Sequence, residues 1–179
     1  MEFIELVKKR KSTRKYLFKP VPRDVLNRSL EAARLAPSAC NSQPWYFIVV
    51  DDEALKNKVA EAAFSGVHSL NSFAKSAPVL IIVLREKTKF FPMLAGWFQG
   101  ISYDAVDLGI ACEHFVLQAE EDGVGTCWLG WFNERAARKI IGLPAGKRIG
   151  AIISMGYPEK DEIMPKNRKS IGEISRFNK

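Results

Sequence analysis

Apolar residues at Phe3, Ile4, Leu6 and Val7 recur at helical spacing and predict a short first helix, ended by the basic run that follows. In Lys19-Pro20-Val21-Pro22 each proline pushes its predecessor out of helix, so this stretch reads as a connector. Pro22 suits the first turn of a second helix over 23–35, which aligns Leu26, Leu30 and Ala33 on one face and must stop before Pro37. Residues 46–50 read as a buried strand and 53–63 as a third helix. The clearest strand is 79–84, VLIIVL, an apolar run that is mostly β-branched and too short for a helix. Residues 85–102 set Phe90, Phe91, Trp97 and Phe98 beside Pro92 and glycines, and predict a mobile or interface segment.

The longest helix is predicted over 103–121. Val106, Ile110, Phe115, Leu117 and Ala119 leave it apolar on most faces, as expected at the centre of a core or of a subunit interface. A strand over 124–129, a short helix capped by Asn133 and ended by Gly142, and a final strand over 148–155 complete the pattern. Beyond Gly156-Tyr157-Pro158 the chain turns polar without periodicity. Helices are thus interspersed with four short strands, without repeats: α and β in one domain, 1–179, with 158–179 as an extended tail.

With 47% apolar and 26% charged residues, disorder, collagen and coiled coil are excluded. No apolar run approaches the roughly 20 residues of a membrane span. The N-terminus carries acids before its bases, the reverse of a signal peptide. Cys40, Cys112 and Cys127 are widely spaced, and His68 and His114 lie far apart, so zinc and iron–sulfur sites lack ligands at usable spacing. The expectation is a reducing, cytoplasmic compartment and no structural metal. Net charge is +7, and residues 1–28 hold +6 of it, with nine Lys or Arg against Glu2, Glu5 and Asp24. Such a focus implies an anionic partner, either a phosphate-bearing cofactor or a nucleic acid, or else only a soluble surface.

Three segments offer chemistry. In Arg10-Lys11-Ser12-Thr13-Arg14 two guanidinium groups and a hydroxyl can converge on one anion, and Arg suits phosphate because its fork donates parallel bonds. The competing reading is a solvated charged face. Pro37-Ser38-Ala39-Cys40-Asn41-Ser42-Gln43-Pro44-Trp45 packs polar side chains between a helix and a strand, and Asn and Gln match the mixed donor–acceptor edge of a heterocycle. It reads equally as a helix stop with turn chemistry, and Cys40 as an inert thiol. Lys166-Asn167-Arg168-Lys169 alone is a charge run in the tail. Gly123-Val124-Gly125 begins like a dinucleotide fingerprint, but the last glycine is missing and a strand follows. His114 and the aromatic residues of 90–98 and 128–132 read as core.

In this order the segments resemble the FMN-dependent nitroreductase family. Arg10-Lys11-Ser12-Thr13-Arg14-Lys15-Tyr16 is similar to its N-terminal signature, and Ala36-Pro37-Ser38 with Asn41-Ser42-Gln43-Pro44-Trp45 to its second. Trp128-Leu129-Gly130 resembles the strand that passes the flavin edge, and Met155-Gly156-Tyr157-Pro158 with Lys166 and Arg168 the family's C-terminal end. The resemblance implies an α+β, three-layer α/β/α fold with a mostly antiparallel sheet and a C-terminal tail crossing to a partner. It implies FMN as cofactor, held by Arg10, Lys11, Ser12 and Arg14, with Lys166 and Arg168 closing on the phosphate and the backbone of Leu129 and Gly130 against the ring. Pro37, Ser38, Asn41 and Gln43 would come from the other subunit of an obligate homodimer. The implied activity is hydride transfer from NAD(P)H to a small oxidised acceptor by a ping-pong mechanism. The rival readings are a basic nucleic-acid-binding protein, against which the lack of a helix-turn-helix or RNP motif counts, and a non-catalytic flavin-binding protein.

Overall fold

The computed structural model describes residues 2–87, 89–160 and 165–178. Helices α1 (Phe3–Lys9) and α2 (Arg23–Arg34) precede strand β1 (Trp45–Val50) and helix α3 (Glu53–Ala63). A coil of 3-10 turns, Gly66–Ser76, leads to strand β2 (Val79–Arg85), followed by α4 (Phe90–Gln99) and α5 (Tyr103–Glu121). Strand β3 (Gly125–Leu129), helix α6 (Glu134–Ile140), strand β4 (Arg148–Gly156) and a last turn of helix, α7 (Ile171–Ile174), complete the chain. The strands form one antiparallel sheet in the order β1-β2-β4-β3.

The unbroken apolar run of β2 has its reason in two covered faces. Val79, Ile81 and Val83 point into a core with Val25, Leu26 and Ala33 of α2 and Leu108, Cys112 and Phe115 of α5. Leu80, Ile82 and Leu84 point the other way, onto Val59, Ala60 and Ala63 of α3, Phe64, and Ala137 of α6. The result is the three-layer α/β/α arrangement expected. Between Val83 and Leu84 the β2–β4 register shifts past Gly150, where a Cβ would lie 2.7 Å from Leu108 Cδ1. This glycine lets α5 settle onto the sheet.

Residues 90–99, within the segment expected to be mobile or at an interface, form a helix; Pro92 sits in its first turn, where an N–H has no intrahelical acceptor, and Gly100 ends it in the left-handed region. Three expectations of burial are corrected, the first in this helix. Its aromatic residues are surface rather than core: Trp97 is 76% exposed, and Phe90, Phe91 and Phe98 are exposed too. Trp128 and Trp131 are likewise exposed. His114 lies on the outer face of α5, its Nδ1 2.9 Å from the Ile110 carbonyl, because the helix turns Phe115 and Cys112 inward instead. β1 is an edge strand in which only Val50 is fully buried.

Candidate functional site

After α1 the chain leaves helical geometry at Arg10 and runs extended along the open edge of β3. Ser12 pairs with Thr126 in a parallel bridge, and Thr13 N–H donates to the Thr126 carbonyl at 2.8 Å. The Arg-x-Ser-x-Arg spacing therefore acts at a period of two, and Arg10, Ser12 and Arg14 share one face of an extended segment. Thr13 turns inward, is 4% exposed, and abuts Gly125. Tyr16 secures the next stretch: its phenol lies 2.6 Å from the Thr13 carbonyl and 2.7 Å from Ser154 Oγ, and burial raises its pKa. Beneath the segment, burial pushes the Cys127 thiol up, while Arg14, the Ser12 hydroxyl and Arg10 act in the opposite sense.

The C-terminal basic run reaches the same place. Lys166 Nζ donates to the Val7 carbonyl at the end of α1. Arg10, Lys166, Arg168, Lys8 and Lys169 line a cavity of ≈ 650 Å³, with Glu113 the one acid among the described residues that line it. Burial lowers the Lys166 pKa, and the Arg10 and Arg168 charges lower it further. Lys11 sits apart from this cavity. Its Nζ donates to the Lys160 carbonyl at 2.8 Å, and it lines a neighbouring hollow with Ser12, Arg14 and Lys15.

Since the Thr126 carbonyl faces away from β4, the period of two aims the backbone groups of Trp128 and Gly130 outward along the same free edge, with Leu129 between them turned to β4. The coil Gly66–Ser76 borders this edge: Asn71 Nδ2 donates to the Trp131 carbonyl at 2.8 Å, and the Arg14 guanidinium stands 5.7 Å from the Phe73 ring centroid. Lys75 is tied to Glu61 at 2.7 Å. Phe73 is the neighbour that sequence reasoning missed, and an aromatic residue far along the chain carries no local signal for it. Gly125, read only as part of a failed dinucleotide fingerprint, is the residue that admits Thr13.

The second segment is a shaped loop. Cys40, Asn41 and Gln43 all adopt positive φ, 50°, 52° and 49°. Such a conformation is strained for residues other than glycine and persists only where neighbours impose it. Here Ala39 N–H donates to both oxygens of the buried Asp107 carboxylate, at 3.1 and 3.2 Å. Gln43 N–H donates to Ser38 Oγ and Gln43 Nε2 to Asn41 Oδ1, both at 2.9 Å, and Lys89 Nζ to the Cys40 carbonyl at 3.1 Å. Asn41 and Gln43 remain exposed, as does Pro37, while Ser38 is half-buried.

Within one chain the two segments stand at opposite corners of the sheet. Trp45 is level with Arg85 and Arg148, whereas Thr126 is level with Met155 and Val79. Those rows are about 20 Å apart along the strands, and β1 and β3 are about 14 Å apart across them.

A model of the nitroreductase family matches residues 7–157, from the end of α1 through β4. The chain belongs to the nitroreductase family. It is 31% identical over 185 residues to an NADH dehydrogenase of Thermus thermophilus, covering 86% of this chain and 85% of that protein. It is 28% identical over 194 residues to an iodotyrosine deiodinase of Thermotoga neapolitana, covering 97% and 96%. Among solved structures, an FMN-dependent nitroreductase of Clostridium difficile R20291 superposes with a TM-score of 0.77 at 28% identity, covering 98% of this chain and 99% of that one. The nitroreductase fold thus accounts for the sheet order and both helix layers. Among the described residues no helix is long and apolar enough to cross a membrane.

Proposed function

We propose that this chain is an FMN-dependent oxidoreductase that takes hydride from NADH or NADPH and reduces a small oxidised acceptor such as a nitroaromatic, quinone, flavin or enone. The observation that carries this reading is the convergence of Arg10, Lys166 and Arg168, from opposite ends of the chain, on one cavity between α1, α5 and the tail, where the segment leading to Ser12 and the edge of β3 begins. The donor set fits a phosphate. Burial and then the Arg10 and Arg168 charges lower the Lys166 pKa there, and a dianion relieves that repulsion while accepting charge-assisted hydrogen bonds.

FMN, when bound, supplies the redox chemistry, accepting hydride and passing electrons to the acceptor. Arg10, Lys166 and Arg168 hold the phosphate, and Ser12 adds a neutral donor. Lys11 tethers the 158–160 segment beside them. Arg14 would supply positive charge near the ring and the outward-facing backbone at Gly130 would border it, favouring added negative charge, whereas the backbone groups of Leu129 are turned to β4. No side chain is assigned as an acid or base, and solvent supplies protons. One open face serves the nicotinamide and the acceptor in turn, so the kinetics are ping-pong.

The site is completed by a second copy of the chain. Pro37, Ser38, Asn41 and Gln43 belong to that copy's corner of the sheet, and the tail, 158–179, of which 161–164 and 179 lie outside the described residues, crosses onto it. Exposed apolar side chains on α1, α4 and the tail (Phe3, Trp97, Phe98, Ile174 and Phe177) support a large partner surface.

The test is the visible absorption spectrum of the purified protein, with mass analysis of the released chromophore and steady-state kinetics with a quinone or nitroarene. FMN and parallel double-reciprocal lines are expected. FAD or no flavin overturns the cofactor, and intersecting lines overturn the shared face. A colourless protein whose nucleic-acid binding falls steeply with salt would favour the rival reading.

A further inference from the structure

A separate cavity of ≈ 280 Å³ lies at the β1–β2 side of the sheet, away from the cationic segments. The connector forms one wall with Leu17, Phe18, Pro20 and Val21, and Ala77, Pro78 and Val79, leading into β2, form another. Lys56 projects into it from α3.

Lys56 is only 7% exposed, yet among the described residues no carboxylate stands within ion-pair distance of it. Its Nζ donates to the Lys75 carbonyl at 2.9 Å, and an ammonium carries three N–H donors. Burial pushes the amine down, and Glu53, one turn back and lining the same cavity, opposes this at longer range. The rim carboxylate Asp51 is engaged by Arg23 at 2.7 Å, and the Lys19 ammonium lies 4.0 Å from the centroid of the Tyr157 ring. A buried cation with spare donors and, among the described residues, no contact ion pair is costly unless an anion joins it. The walls around it are mainly apolar, and of the lining residues Phe18 is 98% exposed and Leu17 is exposed too.

We propose that this cavity binds a short-chain aliphatic carboxylate, its head on the Lys56 ammonium and its chain along Leu17, Pro20 and Pro78. The volume lies just below the usual range of small-molecule sites and suits a short acyl chain rather than a nucleotide or fused ring. No lining residue is shared with the cavities around Arg10 and Ser12, so this site stands or falls independently of the flavin reading.

Nuclear magnetic resonance of the labelled full chain, titrated with hexanoate, hexan-1-ol and hexylamine, tests the assignment. Saturable hexanoate shifts are expected at the amides of Val21, Ala77 and Val79, with hexan-1-ol weaker by about tenfold or more and hexylamine silent. Lys56→Met, which keeps the aliphatic stem, weakens hexanoate by a similar factor and leaves flavin content and NADH turnover unchanged. No saturable hexanoate shift at these amides, equal affinity for the alcohol, or undiminished hexanoate binding by Lys56→Met overturns the proposal. Should Lys56→Met not fold, the contrast among the three probes on the wild-type chain decides it.

Discussion

Thr13 and Gly125 touch with no room for a side chain between them: a Cβ on Gly125 would lie 2.2 Å from Thr13 Oγ1 and 2.8 Å from Thr13 Cβ. This contact seats the cationic segment on the edge of β3. Gly125→Ala is therefore expected to cost about 1–3 kcal/mol by overpacking. Flavin retention should fall too, since the Ser12–Thr126 bridge must open to make space. Thr13→Ala in the same chain should recover part of both losses. Urea unfolding and flavin fluorescence on the two single variants and the double variant check this.

Arg10→Ala and Arg168→Ala should each weaken FMN binding by about 1.5–3 kcal/mol, the range for charge-assisted hydrogen bonds. Arg34→Ala is the control, because Arg34 spends its guanidinium on exposed Glu31 at 2.7 Å. Fluorescence titration of apoprotein with FMN reads the difference. Affinity unchanged in both Arg10 and Arg168 variants would remove the phosphate from this cavity.

The placement of Ser12 and Gln43 at opposite corners of the sheet makes a prediction about mixed dimers. If Arg10 of one copy and Asn41 of the other line the same flavin, a heterodimer of Arg10→Ala and Asn41→Ala chains has one pocket with both lesions and one with none. About half the wild-type activity per heterodimer should return, because an isologous interface gives each site the same two contributions. Co-expression of differently tagged chains isolates that species. A heterodimer of correct mass with no recovery would place both residues in one subunit's site, or Asn41 outside it.

Glu134 sets an acid limit on the joint between α6 and β4. It accepts from Arg148 Nε at 2.8 Å, Arg148 Nη2 at 2.9 Å and Ile149 N–H at 3.0 Å. The Arg148 hydrogen bond foremost holds its carboxyl below the ordinary glutamate value of 4.5. A pKa lowered by folding means stability that is present above the unfolded value and lost as pH falls through the folded one. Glu134→Gln should therefore cost about 1 kcal/mol at pH 7, and the difference from wild type should shrink as the pH drops below 4.5. Chemical unfolding at neutral and acidic pH measures it.

Much of this was legible along the chain because it depends on local periodicity. The run VLIIVL reads as a strand, the apolar face of 23–35 as a helix packed on a core, and 103–121, apolar on most faces, as a helix at the centre of a core or interface. Ser170 and Glu173, three residues apart, carry the capping box that starts α7, a sequence signal overlooked in an otherwise polar tail. Helix α4 escaped because an apolar segment without a polar face has no period to detect, and Pro92 misleads unless its place in the first turn is known.

The residue types fit to hold a phosphate, and their order along the chain, were determined by the sequence itself, since charge and hydrogen-bonding capacity belong to side chains. That Arg10, Ser12 and Arg14 share a face was decided by tertiary structure, because the segment became extended only by pairing with Thr126 at a free strand edge. The joining of Lys166 to Arg10, the stand of Arg14 over Phe73, and the separation of Asn41 from Ser12 by the breadth of the sheet have the same origin. Each is a contact or a distance between residues remote in sequence, set by which strands pair and in what order, and local preferences do not encode that order.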